Sequence, residues 1–183
     1  MKLFVKEKLF SIHNRYYIYN ENEEMAYEIE SKAISIGDKT TIYDKDHNVI
    51  AYIEQEIFHL TPHYNVYIEN EYKYQIKKKF QIFKNDYELS NAYKVDGSTF
   101  NLNFAIINNY GKTVALVNRK FLSIGDKYQI EIIDEKDIDT ILTIIVAITN
   151  DVDRSQSNSS NSSNYLKEKN NIFFRRIKWK RKF

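Results

Sequence analysis

Short segments of alternating apolar and polar residues fill the first 133 positions of the chain. They include residues 3–5, 9–12, 16–19, 25–29, 33–36, 40–43 and 49–54. Polar stretches such as Asn20–Glu23, Asp44–Asn48 and Asn108–Gly111 separate neighbouring segments and are typical of hairpin turns. Strands with turns every 8–12 residues predict an antiparallel all-β sheet or barrel.

The most apolar run, residues 138–149, breaks this pattern. Nine of its twelve residues are β-branched, which favours a strand. However, small and polar residues recur along it at helical spacing: Thr140, Thr143, Ala147 and Asn150. Asp137 directly precedes the run and Asp139 is its second residue, as an N-cap and a first-turn acid would be. Twelve helical residues span about 18 Å, well short of the ~30 Å core of a bilayer. We therefore expect a helix at about 137–150 that is buried in protein.

The chain contains an internal repeat. The sequence Ser35-Ile36-Gly37-Asp38-Lys39 returns letter for letter at 123–127, a spacing of 88 residues or four units of about 22. Degraded copies of the first strand of the unit begin at Phe10, at Phe58-His59-Leu60 and at Phe80. The glycine of the repeated motif supplies a positive φ. We interpret the motif as turn chemistry in preference to a ligand site.

These motifs carry a family resemblance. The repeated turn, followed by Ala51–Gln55, Tyr64–Tyr67, Lys77–Phe80 and Ile132–Asp134 with the apolar run behind it, resembles the bacterial LURP-one-related proteins over about residues 1–152. That group shares its fold with the tubby C-terminal domain and the phospholipid scramblases. The resemblance implies a mainly β protein, with a closed antiparallel barrel of about twelve strands around one central apolar C-terminal helix.

Composition narrows the class of protein further. The chain has 183 residues with 43% hydrophobic and 28% charged content, which fits one soluble globular domain. It has no cysteine, so disulfides and thiolate chemistry are excluded. The first residues lack an apolar h-region, and we therefore expect a cytoplasmic location.

The charge is unevenly distributed. Residues 1–150 hold 18 basic and 22 acidic residues, whereas residues 151–183 hold 9 basic and 3 acidic. Residues 153–170 are rich in serine and asparagine and predict a flexible linker. Residues 171–183 form a basic aromatic tail, whose candidate contacts are Arg175, Arg176, Lys178, Trp179, Lys180, Arg181 and Lys182.

Three interpretations of this tail remain open. Its basic residues and aromatic side chains could hold the barrel on an anionic membrane surface, with the protein peripheral to that membrane. The same residues could bind nucleic acid by phosphate contacts and stacking, which we consider the weaker alternative. The third interpretation is a disordered terminus without a role.

A second basic group, Lys77, Lys78 and Lys79, is predicted at a strand end. Tubby-type domains bind phosphoinositide headgroups through basic residues, but no motif match carries those residues over to this chain. The three lysines are candidates for lipid or polyanion contact as a basic group alone. A solvated face of the sheet is the alternative.

No enzyme constellation is evident, and we expect a protein without catalytic residues or cofactor. The four glycines are scattered, so no phosphate-binding loop is present. His59 and His63 are four residues apart, but Pro62 disfavours a helix there. No cysteine or paired carboxylate was identified nearby, so no metal site is expected. Acid pairs such as Glu23-Glu24 are interpreted as surface residues.

The sequence therefore favours a non-enzymatic binding or scaffold module, attached to anionic lipid through the tail. The alternatives are a lipid- or small-molecule-handling protein of scramblase-like type and a nucleic-acid binder. The sequence does not determine the oligomeric state.

Overall fold

The computed structural model describes residues 1–6, 15–33, 37–79, 86–119 and 126–156. Alternation of apolar and polar residues produces strands whose side chains are buried at every second position, as in β6. The strands are β1 (Lys2–Lys6), β2 (Arg15–Tyr19), β3 (Met25–Ala33), β4 (Asp38–Asp44), β5 (Val49–Glu56), β6 (His63–Ile68), β7 (Glu71–Lys78), β8 (Tyr87–Leu89), β9 (Tyr93–Ser98), β10 (Asn103–Asn108), β11 (Thr113–Asn118) and β12 (Asp126–Ile132).

All twelve strands belong to one antiparallel sheet that curls into a nearly closed barrel. The hydrogen-bonded order runs from β8 back to β1, then through β12, β11 and β10 to β9. β1 pairs with β12, and the Met1 amino group donates to the Ile132 carbonyl over 2.9 Å. The predicted twelve-stranded barrel is confirmed, but its hydrogen-bond ladder is incomplete. Within the described residues, β8 and β9 form the two ends of the order and are not paired with each other.

We call this interruption between β8 and β9 the seam. β8 has only three residues, and the Ser90 hydroxyl accepts a hydrogen bond from the backbone nitrogen of Gln75 over 2.8 Å directly after it. This contact and the hydrogen bond from the Ser90 backbone nitrogen to the Gln75 carbonyl, at 3.0 Å, hold Ser90 against β7. A cleft of about 1020 Å³ lies along the seam.

The hairpin turns follow a common local rule. Asn20, Asp44 and Asn108 each stand at the start of a turn, and their side-chain oxygens accept backbone N–H groups two and four residues later. Gly37 of the repeated motif has φ +83°, and an added Cβ would lie 2.9 Å from the Gln55 carbonyl oxygen. The positive φ predicted for the glycine of the motif is therefore confirmed at Gly37, whereas Ser35, Ile36 and residues 123–125 lie outside the described residues.

The apolar run forms helix α1 over residues 138–156. The residues from Ile141 to Thr149 are all buried, so the helix is apolar on every side, as expected of a helix enclosed by protein. Two wall tyrosines bond to it: Tyr74 of β7 contacts the Thr143 hydroxyl at 2.6 Å, and Tyr128 of β12 donates to the Thr149 hydroxyl at 3.2 Å. In the strand order, β7 and β12 are separated by the six strands from β6 to β1 in one direction and by four strands, across the seam, in the other. The two tyrosines therefore hold α1 from nearly opposite sides of the barrel.

Two expectations about boundaries need correction. α1 continues six residues beyond the predicted end at 150 and includes 153–156, which were assigned to the linker. Arg154 and Ser155 donate side-chain hydrogen bonds to the carbonyls four residues earlier, which extends the helix. Phe58-His59-Leu60, predicted to begin a strand, lies instead in the loop between β5 and β6, where Phe58 has φ +72° and Pro62 follows.

The chain separates into two compact units, Met1–Thr149 and Asn150–Phe183. The first contains the barrel and most of α1, and the described part of the second is helical. The remainder of the predicted linker and the whole basic aromatic tail lie outside the described residues. No helix among the described residues is long and apolar enough to cross a membrane.

Candidate functional site

The loop of residues 57–62, which we call the β5–β6 loop, exposes apolar side chains at one end of the barrel. Phe58 is 96% exposed, Leu60 is fully exposed and Ile57 is partly exposed. A bulky residue at positive φ is uncommon, so Phe58 has a strained backbone while its ring gains no burial in return. The loop therefore exposes large apolar side chains to solvent.

The strand register brings basic residues to the same end of the barrel. His63 at the start of β6 pairs with Lys77 near the end of β7, and the Pro62 carbonyl accepts the backbone N–H of Lys78 over 2.9 Å. Lys77 and Lys79 are exposed, while Lys78 is half-buried. The structure therefore places the three predicted lysines beside the β5–β6 loop, at the predicted strand end.

An acidic residue, Glu88 of β8, partly offsets the positive charge of these lysines. The Lys79 Nζ lies 3.9 Å from the Glu88 Oε2, and Lys77 pairs in register with Glu88 on β8. Both groups are exposed, so this ion pair contributes little to stability and is readily exchanged for another anion. This end of the barrel thus combines exposed apolar side chains with lysines whose ion-pair partners can be exchanged.

A polar cluster lies at the base of the β5–β6 loop, on the outer face of the sheet. The His59 Nε2 lies 2.8 Å and the His63 Nδ1 lies 3.9 Å from the same oxygen, Oε2 of Glu56. The two imidazoles stack with centroids 3.9 Å apart. Glu56 and His63 are register partners across β5 and β6, which fixes their proximity.

The charge state of this cluster follows from its neighbours. A hydrogen bond from Asn65 holds the pKa of Glu56 below its ordinary value, against the opposing effect of burial, and His59 adds to the lowering. Burial lowers the pKa of His63, and the nearby His59 and Lys77 lower it further. The site therefore pairs an ionised carboxylate with a His63 that favours its neutral form.

Sequence reasoning missed both the exposure of the β5–β6 loop and the participation of Glu56. Phe58 and Leu60 were interpreted as strand residues because they alternate with His59. The spacing Glu56, His59, His63 was available in the sequence, but only the pairing of Glu56 with His63 shows that a bend brings the three together. The tail candidates from Arg175 to Lys182 lie outside the described residues.

The seam cleft is a concave surface that the sequence did not indicate. Its charged lining includes both signs: Lys79, Asp86, Glu88, Lys94 and Asp96. At its side the Tyr93 hydroxyl donates to the Asp137 Oδ2 over 2.6 Å, and burial together with Asp137 raises the pKa of Tyr93. Because its charges are mixed, the cleft has no clear preference for an anion, in contrast to the lysines beside the β5–β6 loop.

The geometry defines a class of protein: a twelve-stranded antiparallel barrel built on a buried helix, with exposed apolar side chains on a loop at one end. The model of the LURP-one-related family matches residues 1–149, and the chain belongs to that family. It is 29% identical over 161 residues to the uncharacterised protein YxjI of Bacillus subtilis (strain 168), covering 85% of this chain and 98% of that protein.

A solved structure supports the same fold. The X-ray structure of a protein from Arabidopsis thaliana superimposes with a TM-score of 0.61 at 14% sequence identity, over 83% of this chain and 90% of that one. At this level of identity the likeness extends to the fold alone.

Proposed function

We propose that this protein is a non-enzymatic binding module that attaches peripherally to anionic membrane surfaces. The observation that carries the proposal is the exposure of Phe58 and Leu60 on the β5–β6 loop, next to the exposed Lys77 and Lys79. The basic aromatic tail at 171–183 is the second proposed contact.

Two additive contributions favour attachment to the membrane. Transfer of a Phe or Leu side chain from water to an apolar environment is worth about 1.5–3 kcal/mol, and each basic residue near an anionic surface adds about 1 kcal/mol. Neither contribution alone gives stable attachment, and weak membrane contacts commonly need a second signal. The tail supplies that signal with six basic and four aromatic residues.

Sedimentation with vesicles tests the proposal on the full-length chain. We expect binding to phosphatidylcholine vesicles containing about 30% phosphatidylserine, weak binding to phosphatidylcholine alone, and weakening as salt rises to about 150 mM. The Phe58→Ser/Leu60→Ser variant should bind at least about tenfold more weakly, since two apolar contacts are lost. The matched control is Tyr110→Ser, because Tyr110 is 88% exposed on a different hairpin.

Charge variants separate the two contacts. Lys77→Ala/Lys79→Ala should weaken binding more than Lys45→Ala/Lys112→Ala, which removes two exposed lysines elsewhere on the barrel. If neutralising the tail abolishes binding while the loop and lysine variants bind normally, the loop is not the contact. If the unaltered protein ignores anionic vesicles at low salt, the membrane proposal is wrong. Tight RNA binding with a steep salt dependence would favour the nucleic-acid alternative.

A further inference from the structure

The polar cluster beneath the β5–β6 loop has the composition of a transition-metal site. Glu56, His59 and His63 each offer one ligand atom, and these atoms all lie within 4.8 Å of one another. Glu56 and His63 are fixed by the strand ladder, and His59 belongs to the loop that joins their strands. One carboxylate and two imidazoles form a ligand set that catalytic and open zinc sites use.

The distances between the ligand atoms fit a metal centre. Ligands at 2.0–2.1 Å from a tetrahedral zinc ion are about 3.3 Å apart. The separations observed from the Glu56 Oε2, 2.8 Å to the His59 Nε2 and 3.9 Å to the His63 Nδ1, bracket that value. Adjustments of about half an ångström bring both distances from Glu56 to that value, and the separation between the two imidazole nitrogens is within 4.8 Å.

A supporting shell orients the carboxylate. The Asn65 side-chain amide donates to the Glu56 Oε1 over 2.8 Å, and the Gln75 amide donates to the Asn65 Oδ1 over 3.0 Å. This chain occupies one carboxylate oxygen and leaves the other directed at the two histidines. Hydrogen-bonded partners of this kind hold metal ligands in position and are characteristic of natural metal sites.

We propose that Glu56, His59 and His63 bind one divalent transition-metal ion of the zinc class, with a fourth position open to solvent. Imidazole nitrogens favour zinc, cobalt, nickel or copper over magnesium and calcium. The neighbouring Lys77 opposes the cation, and the negative charge of Glu56 offsets it. The bound ion joins β5, β6 and the loop between them, so it fixes the backbone that carries Phe58 and Leu60. The metal site does not depend on the proposed membrane contact.

Cobalt binding provides the test. Co²⁺ is titrated into the full-length chain while its visible absorption is recorded, and Zn²⁺ is then added as a competitor. We expect one equivalent of Co²⁺ to bind, Zn²⁺ to displace it, and Mg²⁺ to have no effect. His59→Ala, His63→Ala and Glu56→Gln should each weaken binding at least tenfold. Because His59 is exposed, His59→Ala retains the fold, which circular dichroism verifies.

The matched control is His47→Ala. His47 is also an exposed histidine beside a glutamate, with its Nδ1 3.3 Å from the Glu28 Oε2. This variant should bind Co²⁺ like the unaltered protein. The proposal is overturned if no stoichiometric Co²⁺ binding occurs, or if His59→Ala and His63→Ala bind Co²⁺ with unchanged affinity, which would place any site elsewhere in the chain.

Discussion

The interior around α1 and the β5–β6 loop use the same side-chain types for opposite purposes. Ile144 and Leu142 of α1 are completely buried, whereas Phe58 and Leu60 on the loop are almost fully accessible to solvent. The interior apolar groups are removed from water by the chain itself, which stabilises the fold. Those on the loop stay in contact with water, so we expect them to contribute little to the stability of the fold.

Polar groups show a parallel difference. The Tyr74 hydroxyl is buried against the Thr143 hydroxyl and the Thr140 carbonyl, and burial raises the pKa of Tyr74 well above its ordinary value. On the outer face, ion pairs such as Lys79 with Glu88 are solvated and screened. Hydrogen bonds inside the barrel therefore specify where α1 sits, while charges outside can exchange partners. Pairs of variants, one at a buried position and one at an exposed position, measure this difference.

The largest effect should come from a charge placed on α1. Ile144→Asp buries an unpaired carboxylate, which we expect to cost at least about 3–5 kcal/mol and to unfold the barrel. Circular dichroism and urea denaturation measure the loss. Ile133→Asp is the control, because Ile133 is 48% exposed, and it should change stability by less than about 1 kcal/mol. A native spectrum and an unchanged urea midpoint for Ile144→Asp would contradict the enclosed helix.

Removal of one buried hydroxyl should have an intermediate effect. Tyr74→Phe leaves the buried Thr143 hydroxyl without its wall partner, and we expect a loss of about 1–3 kcal/mol in the free energy of unfolding. Tyr72 lies on the same strand but is 56% exposed, so Tyr72→Phe should cost less than about 0.5 kcal/mol. Equal urea midpoints for the two variants would show that the Tyr74 hydrogen bond does not position α1.

The loop variant should scarcely change stability. Phe58→Ser/Leu60→Ser removes exposed side chains, so its free energy of unfolding should stay within about 0.5 kcal/mol of the unaltered protein. Phe104→Ser provides the contrast, because Phe104 is buried in β10 and its loss should cost several kcal/mol. Clear destabilisation of the loop variant in urea would mean that Phe58 and Leu60 stabilise the fold.

The smallest effect should come from removing the charge of Glu30. Burial alone would raise the pKa of Glu30, but the hydrogen bond from Arg15 and its ion pairs with Arg15 and Lys32 hold it below its ordinary value. A lowered pKa contributes stability that is present above the unfolded value of 4.5 and is lost as pH falls through the folded pKa. Glu30→Gln should therefore show a smaller loss of melting temperature between about pH 6 and about pH 4. The control is Glu21→Gln, because Glu21 is exposed. Identical slopes of melting temperature against pH for the unaltered protein and both variants would contradict the prediction for Glu30.

The interior of the molecule could be predicted from sequence because its signals are local and repetitive. Alternation located the strands, and the helical spacing of Thr140, Thr143 and Ala147 distinguished α1 from a strand. The family resemblance supplied the barrel. The seam could not be predicted, since it depends on which strands pair at the two ends of the sheet rather than on any pattern along the chain.

The candidate site was only partly predictable for the same reason. Lys77–Lys79 was recognised as a basic group, but its neighbours come from a different hairpin. Phe58, His59 and Leu60 alternate like a strand, and only the positive φ of Phe58 shows that they form a bend. A site assembled across β5, β6 and β7 is a property of register, which a single sequence specifies only indirectly.

The pairing of β1 with β12 determines when the protein can fold during its synthesis. β1 is made first, but its partner strand begins at Asp126, and α1 follows only after that strand. Until α1 emerges from the ribosome, the inner face of the wall has nothing to cover its apolar side chains. The half-made sheet is therefore exposed until α1 has been synthesised, and its unpaired strands are prone to aggregate in that period. Folding is also expected to be slow, because its decisive contacts join residues far apart in sequence.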